Sequence, residues 1–141
     1  MKDAFVVDAS VSAAWFLPDE ATSYTEAALE ATVQAEVWVP SLWQLEITNL
    51  LSSAFKRKRI SAAKRRELIV EAADLRVRVD REAIAMPALE LLAAQHGLSA
   101  YDAVYLELSI RKGLPLVTLD EALRKAAIGA GLEVLGTNEG L

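Results

Sequence analysis

The feature that most constrains the fold of this chain is the alternation of short apolar runs with longer helical patterns. Parallel strands need a crossover connection, usually a helix, so this alternation is typical of an α/β fold with a largely parallel sheet. The run at 75–79 alternates apolar and basic residues, which favours an edge strand. The predicted strands are 4–8, 37–39, 75–79, 115–119 and 132–135, and the predicted helices are 10–17, 20–35, 41–57, 61–74, 82–95, 100–112 and 121–128.

Composition narrows the class of protein further. The chain has 141 residues, of which 53% are hydrophobic, and no repeat or linker divides it, so residues 1–141 are interpreted as one domain. The absence of cysteine excludes disulfides and thiol catalysis. No apolar run reaches the roughly 18 residues of a membrane span, and Asp3 and Asp8 interrupt the N-terminal run. We therefore expect a soluble, cytoplasmic protein.

Glycine placement excludes two nucleotide-binding motifs. All six glycines lie at or after Gly97, so no glycine-rich loop follows the first strand. A P-loop and a dinucleotide-binding fingerprint both need such a loop, because backbone amides must approach the phosphates closely. Neither motif is therefore expected here.

Four acidic residues lie where carboxylates are costly, at the ends of apolar runs or within helical segments rich in apolar residues. An unpaired ionised carboxylate in such surroundings is strongly unfavourable. If the first strand and the strand at 115–119 are parallel neighbours, Asp8 and Asp120 meet at the carboxyl edge of the sheet, where open α/β sheets bind ligands. The pattern predicts a shared site for a hard divalent cation. The four candidate ligands are Asp8, Glu46, Asp102 and Asp120.

Helix capping is the simpler explanation for the three aspartates. Two of them directly precede predicted helices, and Asp102 stands three residues after Ser99, as in a capping box. Glu46 has no such explanation, because a residue inside a helix meets no unpaired backbone N–H. Asn49 and several leucines share its helix face, which is unusual for a solvent face. A buried ion pair is the alternative to metal ligation at Glu46.

A basic segment between residues 56 and 66 contrasts with the net charge of −5. Such a cluster can position the phosphates of a nucleic acid without reading its sequence, although a solvated helix end explains the same run. Divalent cations would offset the charge of the candidate ligands, so the acidic balance does not exclude a polyanionic substrate. The candidate nucleic-acid-binding residues are Lys56, Arg57, Lys58, Arg59, Lys64 and Arg65.

Four segments, taken together and in order, resemble one known family. Each is weak alone, but their order and separations are specific. The chain resembles the PIN domain over nearly its whole length, in particular the VapC-type toxins of bacterial and archaeal toxin–antitoxin pairs. The segments are Val-Asp-Ala-Ser-Val at 7–11, Pro-Ser-Leu-Trp-Gln-Leu-Glu-Ile-Thr-Asn-Leu at 40–50, Leu-Ser-Ala-Tyr-Asp-Ala at 98–103 and Leu-Val-Thr-Leu-Asp at 116–120.

This resemblance implies a three-layer α/β/α sandwich with a mostly parallel central sheet, and endoribonuclease activity that depends on Mg²⁺ or Mn²⁺. Position by position, the four acids match the family's catalytic metal ligands. Ser10 and Thr118 match its supporting hydroxyls, and Asn49 matches a polar residue often found one turn after the helical Glu. The resemblance also implies an RNA substrate, a small VapB-like antitoxin as partner, and a homodimer.

Three other functions remain open at this point. A DNA nuclease of similar fold would carry the same acids. A phosphatase of the aspartyl-phosphate type would also place an aspartate after the first strand, but it usually has a second one two residues later, where this chain has Ser10. A binding module could keep the scaffold without catalysis, although acids at all four positions argue against it.

Apolar and aromatic residues in the N-terminal third suggest where an antitoxin could dock. Large apolar groups near a cleft suit a helix that binds in a groove. Burial inside the monomer, or in a homodimer contact, is the alternative for these side chains. The residues concerned are Trp15, Phe16, Leu17 and Trp43.

Overall fold

The computed structural model describes residues 4–134, and their elements alternate as the apolar pattern predicts. The strands are β1 (Ala4–Val7), β2 (Glu36–Pro40), β3 (Val77–Asp80) and β4 (Leu116–Val117). The helices are α1 (Ala9–Phe16), α2 (Ser23–Ala31), α3 (Leu42–Lys56), α4 (Ala62–Asp74), α5 (Met86–His96), α6 (Ala100–Lys112) and α7 (Glu121–Gly129), with a single 3-10 turn at Pro18–Glu20.

The four strands form one parallel sheet in the order β3-β2-β1-β4. β3 lies at an edge, as its alternating sequence predicts. The pairing of Val6 with Leu116 makes β1 and β4 neighbours, so both strands end at the same edge of the sheet. Of the predicted strand at 132–135, Val134 forms an isolated parallel bridge to Leu116, and residue 135 lies outside the described residues.

Helices cover the sheet in two groups. α1 packs on α2 and α3, and α3 packs on α4, whereas α5 packs on α6 and α6 on α7. α6 also contacts β1 and β2, while α3 contacts β2. This is the α/β/α sandwich with a parallel central sheet that the sequence predicts. Within residues 4–134, none of the helices has both the length and the apolar run that crossing a bilayer requires.

Two predicted helices begin later than expected, and local chemistry explains both. The helix predicted at 20–35 starts at Ser23, because Thr22 and Thr25 form a capping box in which each hydroxyl accepts from the other residue's backbone N–H. The helix predicted at 82–95 starts at Met86, which puts Pro87 in its first turn. Proline lacks an N–H and is tolerated only in the first turn of a helix.

The proposed aromatic docking surface is buried instead. Phe16, Leu17 and Trp43 are 4%, 2% and 3% exposed, and Trp15 packs partly buried against the core. The Trp43 indole N–H donates to the Ser12 hydroxyl at 2.9 Å, which satisfies its polar group inside the protein. The prediction that these side chains form a partner surface is therefore wrong, and the alternative of burial within the monomer is correct.

Two leucine-to-alanine substitutions should separate core packing from surface effects. Leu106 of α6 is fully buried, so Leu106→Ala leaves a cavity and should lower the unfolding free energy by about 2–5 kcal/mol. Leu91 of α5 is 56% exposed, so Leu91→Ala should change it by less than about 0.5 kcal/mol. Equilibrium urea unfolding measures both. Equal losses in the two variants would contradict the placement of α6 in the core.

Candidate active site

A buried carboxylate lies at the carboxyl edge of the sheet, directly after β1. Asp8 follows β1 and caps α1, and its Oδ1 accepts the Val11 backbone N–H at 3.1 Å and the Ser10 hydroxyl at 2.7 Å. Its Oδ2 accepts the Thr118 hydroxyl at 2.5 Å. The residue is only 4% exposed. Three donors therefore fix the orientation of a carboxylate that solvent barely reaches.

Burial dominates the ionisation of Asp8. Loss of hydration disfavours the charged form and raises the pKa from 3.8 to about 6. The three hydrogen bonds act in the opposite direction, and repulsion from Asp102 adds to the rise. The net effect is a carboxyl group that binds a proton far more readily than an exposed aspartate does.

The two predicted supporting hydroxyls join the ends of β1 and β4. Besides donating to Asp8, Ser10 Oγ accepts the Leu119 backbone N–H at 3.1 Å, and Thr118 Oγ1 accepts the Asp120 backbone N–H at 3.0 Å. Each hydroxyl therefore bonds the Asp8 carboxylate and the backbone that follows β4. This network sets the position of Asp120 relative to Asp8.

The other two aspartates lie at helix N-termini. Asp120 caps α7, and its Oδ1 accepts the Leu123 backbone N–H at 2.8 Å. Asp102 lies in the first turn of α6, which Ser99 caps by accepting the Asp102 backbone N–H at 3.1 Å. The capping interpretation is thus correct for Asp8 and Asp120. In addition, the helices α1, α6 and α7 each have their partly positive N-terminal end near one of the aspartates.

Glu46 is held by a residue that the sequence did not single out. It lies half-buried on α3, and its Oε1 accepts the hydroxyl of Tyr105 of α6 at 2.5 Å. Burial raises the pKa of Glu46, repulsion from Asp102 adds to the rise, and the tyrosine hydrogen bond lowers it. Burial also raises the pKa of Tyr105 well above its usual range, and the hydrogen bond to Glu46 raises it further. The phenol is therefore a fixed donor.

Asp102 couples the acids electrostatically. Its charge contributes to the raised pKa of Asp8 and of Glu46. The pKa of Asp102 itself is raised by burial first and by repulsion from Asp120 second, against a hydrogen bond from Ser99. The four predicted ligands thus share one field of mutual repulsion at one edge of the sheet.

The donor set suits a hard divalent cation, but the side chains do not form a closed ligand set. In residues 4–134, no three Asp, Glu or His side chains are arranged so that they could hold a metal ion together. Repulsion between like charges opposes closer approach, and hydrogen bonds engage both oxygens of Asp8. The available donors are all oxygens, the ligands of Mg²⁺ and Mn²⁺. A cation among them would offset the repulsion that, after burial, adds to the raised pKa values of Asp8, Glu46 and Asp102.

The basic segment lies away from the acids. It forms the turn between α3 and α4, and about ten residues of α3 separate Glu46 from Lys56, which corresponds to roughly 15 Å along the helix axis. Lys56, Arg57 and Lys58 are exposed at this turn, where Lys58 has a left-handed φ of 62°. Asn49, on the same helix, is also exposed.

Three of the six candidate nucleic-acid contacts have partners within the protein. Arg59 pairs with Asp19 at 2.9 Å and with Glu20 at 3.2 Å, beyond the end of α1. The guanidinium of Arg65 stacks over the Phe55 ring, 4.4 Å from its centre, and Lys64 lies 3.6 Å from the Glu67 carboxylate. Arg65 therefore packs within the α3–α4 hairpin, whereas Arg59 connects its turn to the 3-10 turn that follows α1.

Sequence reasoning also missed an acidic cluster around Arg111 near the C-terminus of α6. The guanidinium lies 2.6 Å from both Asp80 and Glu82, and 2.9 Å from Glu107. Asp80, Glu82 and Glu107 line a cavity of about 390 Å³ whose other walls are mostly apolar. Only the i,i+4 spacing of Glu107 and Arg111 was visible in the sequence. Leu42, Ile84, Leu89, Tyr101 and Val104 supply much of the apolar lining.

The structure is an α/β protein with acids at the carboxyl edge of a parallel sheet, and the family comparison identifies its class. The model of the PIN domain family matches residues 5–129, so the chain belongs to the PIN domain family. PIN domains are typically nucleases that use divalent metal ions. Family membership therefore supports hydrolysis of nucleic acid.

Solved structures show the same fold at low sequence identity. PAE2754 from Pyrobaculum aerophilum is 23% identical, with a TM-score of 0.67 over 93% of this chain and 82% of that one. FitAcB from Neisseria gonorrhoeae is 16% identical, with a TM-score of 0.67 over 94% of this chain and 97% of that one. No curated protein sequence matches the chain.

The pKa of Asp8 predicts a stability that falls as the pH rises. Because the folded-state pKa of about 6 exceeds 3.8, the folded protein binds the proton more tightly, and stability is lost between those values. Asp8→Asn removes this charge. Without divalent metal at pH 7.5, the variant should be more stable than wild type by about 1–3 kcal/mol, since each pH unit between the two pKa values corresponds to about 1.4 kcal/mol.

Urea unfolding at pH 4 and pH 7.5 measures this difference. The advantage of Asp8→Asn should shrink to about 0.5 kcal/mol at pH 4, because the carboxyl group is then protonated in the folded state and about half ionised in the unfolded state, where its pKa is 3.8. Asp74→Asn, at the exposed end of α4, serves as the matched control and should change little at either pH. A wild type that is more stable than Asp8→Asn at pH 7.5 would contradict the raised pKa.

Proposed function

We propose that this chain is an endoribonuclease that requires Mg²⁺ or Mn²⁺, and the toxin component of a type II toxin–antitoxin pair. The observation that carries this proposal is the shared field of Asp8, Glu46, Asp102 and Asp120 at the carboxyl edge of a PIN-domain sheet. Buried carboxylates that repel one another gain most from a bound cation. The sequence resemblance to VapC-type toxins supports the RNA substrate and the toxin role.

Each acid has a distinct task in this proposal. Asp8 is the central ligand, because Ser10 and Thr118 fix its orientation before any ion binds. Asp102 and Asp120 complete the ligand set from two helix N-termini, and Glu46 reaches it from α3. When bound, a divalent ion supplies polarisation of the scissile phosphate and acidification of a water molecule.

The exposed cations at the α3–α4 turn position the RNA backbone away from the reacting phosphate. Lys56, Arg57 and Lys58 are the best candidates, because they are exposed at the tip of the hairpin. Their distance from the acids restricts them to nucleotides some way along the strand from the cleavage site. They contribute affinity without base recognition.

Cleavage of single-stranded RNA should stop when the metal or a ligand is removed. EDTA should abolish hydrolysis, and excess Mn²⁺ or Mg²⁺ should restore it. Asp8→Asn and Asp102→Asn should each lower the rate by at least about a hundredfold, because even residues that only support metal ligands often cost 10–100-fold. Gel analysis of a labelled RNA measures the rate, and Asp74→Asn should cleave like wild type.

Three outcomes of that assay decide against the proposal. Activity that persists in EDTA or in Asp8→Asn excludes the metal-dependent mechanism at this site. Hydrolysis of DNA but not of RNA of the same sequence favours the alternative of a DNA nuclease. Binding of RNA without hydrolysis at any metal concentration favours a non-catalytic module.

We also propose a small antitoxin as partner and a homodimer as the assembled toxin. An inserted Arg or Lys would pair with the repelling carboxylates and displace the metal. The exposed apolar side chains of Met86 on α5 and Tyr101 at the start of α6 support self-association.

If a short reading frame adjoins the gene, its co-expression with this chain should yield a stable complex in which RNA cleavage is suppressed, because the partner occupies the acidic site. Light scattering would give the mass of the toxin alone and of the complex. Failure to co-purify, or full activity in the complex, argues against inhibition by such a partner. A monomeric toxin at all concentrations argues against the homodimer.

A further inference from the structure

Tyr105 is a buried tyrosine whose hydroxyl bonds a candidate metal ligand. It lies on α6, three residues after Asp102, and its side chain is 2% exposed. Its hydroxyl donates to Glu46 Oε1 at 2.5 Å, across from α6 to α3. The bond is short and connects two elements far apart in sequence, so it relates the position of one candidate ligand to the helix that carries another.

In this pair, the tyrosine hydroxyl fixes the orientation of the glutamate carboxylate. Glutamate has a long side chain whose conformational freedom must be lost if it is to ligate in one geometry. The tyrosine ring is anchored in the core and has only two rotatable bonds, so its hydroxyl is a fixed point. A carboxylate accepts several hydrogen bonds, and the phenol takes up only Oε1. Oε2 is thereby left as the oxygen available to a cation.

Tyr105 also links Glu46 to Asp102. Residues three apart on a helix share one face, so Asp102 and Tyr105 approach the site from the same side of α6. Any shift of α6 moves the Asp102 carboxylate and, through the phenol, the Glu46 carboxylate together. The two ligands would therefore keep their relative position as the helices fluctuate.

We propose that Tyr105 is a positioning residue, which holds Glu46 so that a single oxygen, Oε2, ligates the divalent ion. This inference rests on the proposed metal site. Groups that orient metal ligands through hydrogen bonds typically change metal affinity by about 10–100-fold. A purely structural tyrosine would instead change only the stability of the fold.

Tyr105→Phe tests this role, because it removes the hydroxyl and keeps the ring. Titration of the metal-free protein with Mn²⁺, followed by electron paramagnetic resonance, should show a dissociation constant weakened about 10–100-fold relative to wild type. Tyr101→Phe is the matched control on the same helix. That side chain is 62% exposed, and the substitution should leave Mn²⁺ affinity unchanged.

Glu46→Gln and the double variant complete the experiment. If Tyr105 acts through Glu46, adding Tyr105→Phe to Glu46→Gln should weaken Mn²⁺ binding by less than about threefold, because the two losses are coupled. Urea unfolding identifies variants that have lost the fold. At saturating Mn²⁺, Tyr105→Phe should recover a cleavage rate close to that of wild type, so the loss appears in the metal dependence.

Separate outcomes overturn the two proposals. A wild type that binds no Mn²⁺ removes the proposed metal site and, with it, the role of Tyr105. A wild type that binds Mn²⁺, beside a folded Tyr105→Phe with the same affinity, overturns the role of Tyr105 alone. If the losses of Mn²⁺ affinity in Tyr105→Phe and Glu46→Gln add fully in the double variant, the role of Tyr105 alone is likewise overturned.

Discussion

The burial of one carboxylate is the constraint on which the rest of this structure depends. Asp8 lies at the end of a central strand, where loss of hydration opposes its charge. Its surroundings compensate only in part, through hydrogen bonds from Ser10, Val11 and Thr118. The partners of Asp8 are hydroxyl and amide groups, which orient a negative charge without neutralising it. The fold thus holds this carboxylate in one orientation at the edge of the sheet.

The course of the chain could be predicted from the sequence because parallel sheets obey strong rules. Apolar runs separated by helices give crossover connections, and neighbouring parallel strands end at one edge. That rule predicts that Asp8 and Asp120 lie close together. It could not place the start of α5, where Pro87 restricts the first turn. Apolar periodicity also did not distinguish a buried aromatic cluster from an exposed one, as the burial of Trp43 shows.

The site could be predicted where side chains lie close to strand ends, and not where they approach from a distant helix. Ser10 and Thr118 flank the strand ends, so their contacts with Asp8 follow from the pairing of β1 and β4. Tyr105 and Glu46 are 59 residues apart in the sequence. An aromatic residue on a buried helix face is predicted from sequence only to be part of the core. Arg59 was predicted as a nucleic-acid contact, and the sequence pattern did not indicate its ion pairs with Asp19 and Glu20, which follow α1. Tertiary proximity, which local patterns do not encode, decides both cases.

The charge cluster around Arg111 contributes to an uneven distribution of charge over the surface of the molecule. One guanidinium serves Asp80, Glu82 and Glu107, so the wall of the cavity keeps an excess of negative charge. The turn between α3 and α4 presents cations instead. A polyanion that diffuses toward the sheet edge is repelled on the first side and attracted on the second. Under the proposed function, this asymmetry of charge favours a nucleic-acid strand that approaches the carboxylates from the side of the α3–α4 turn.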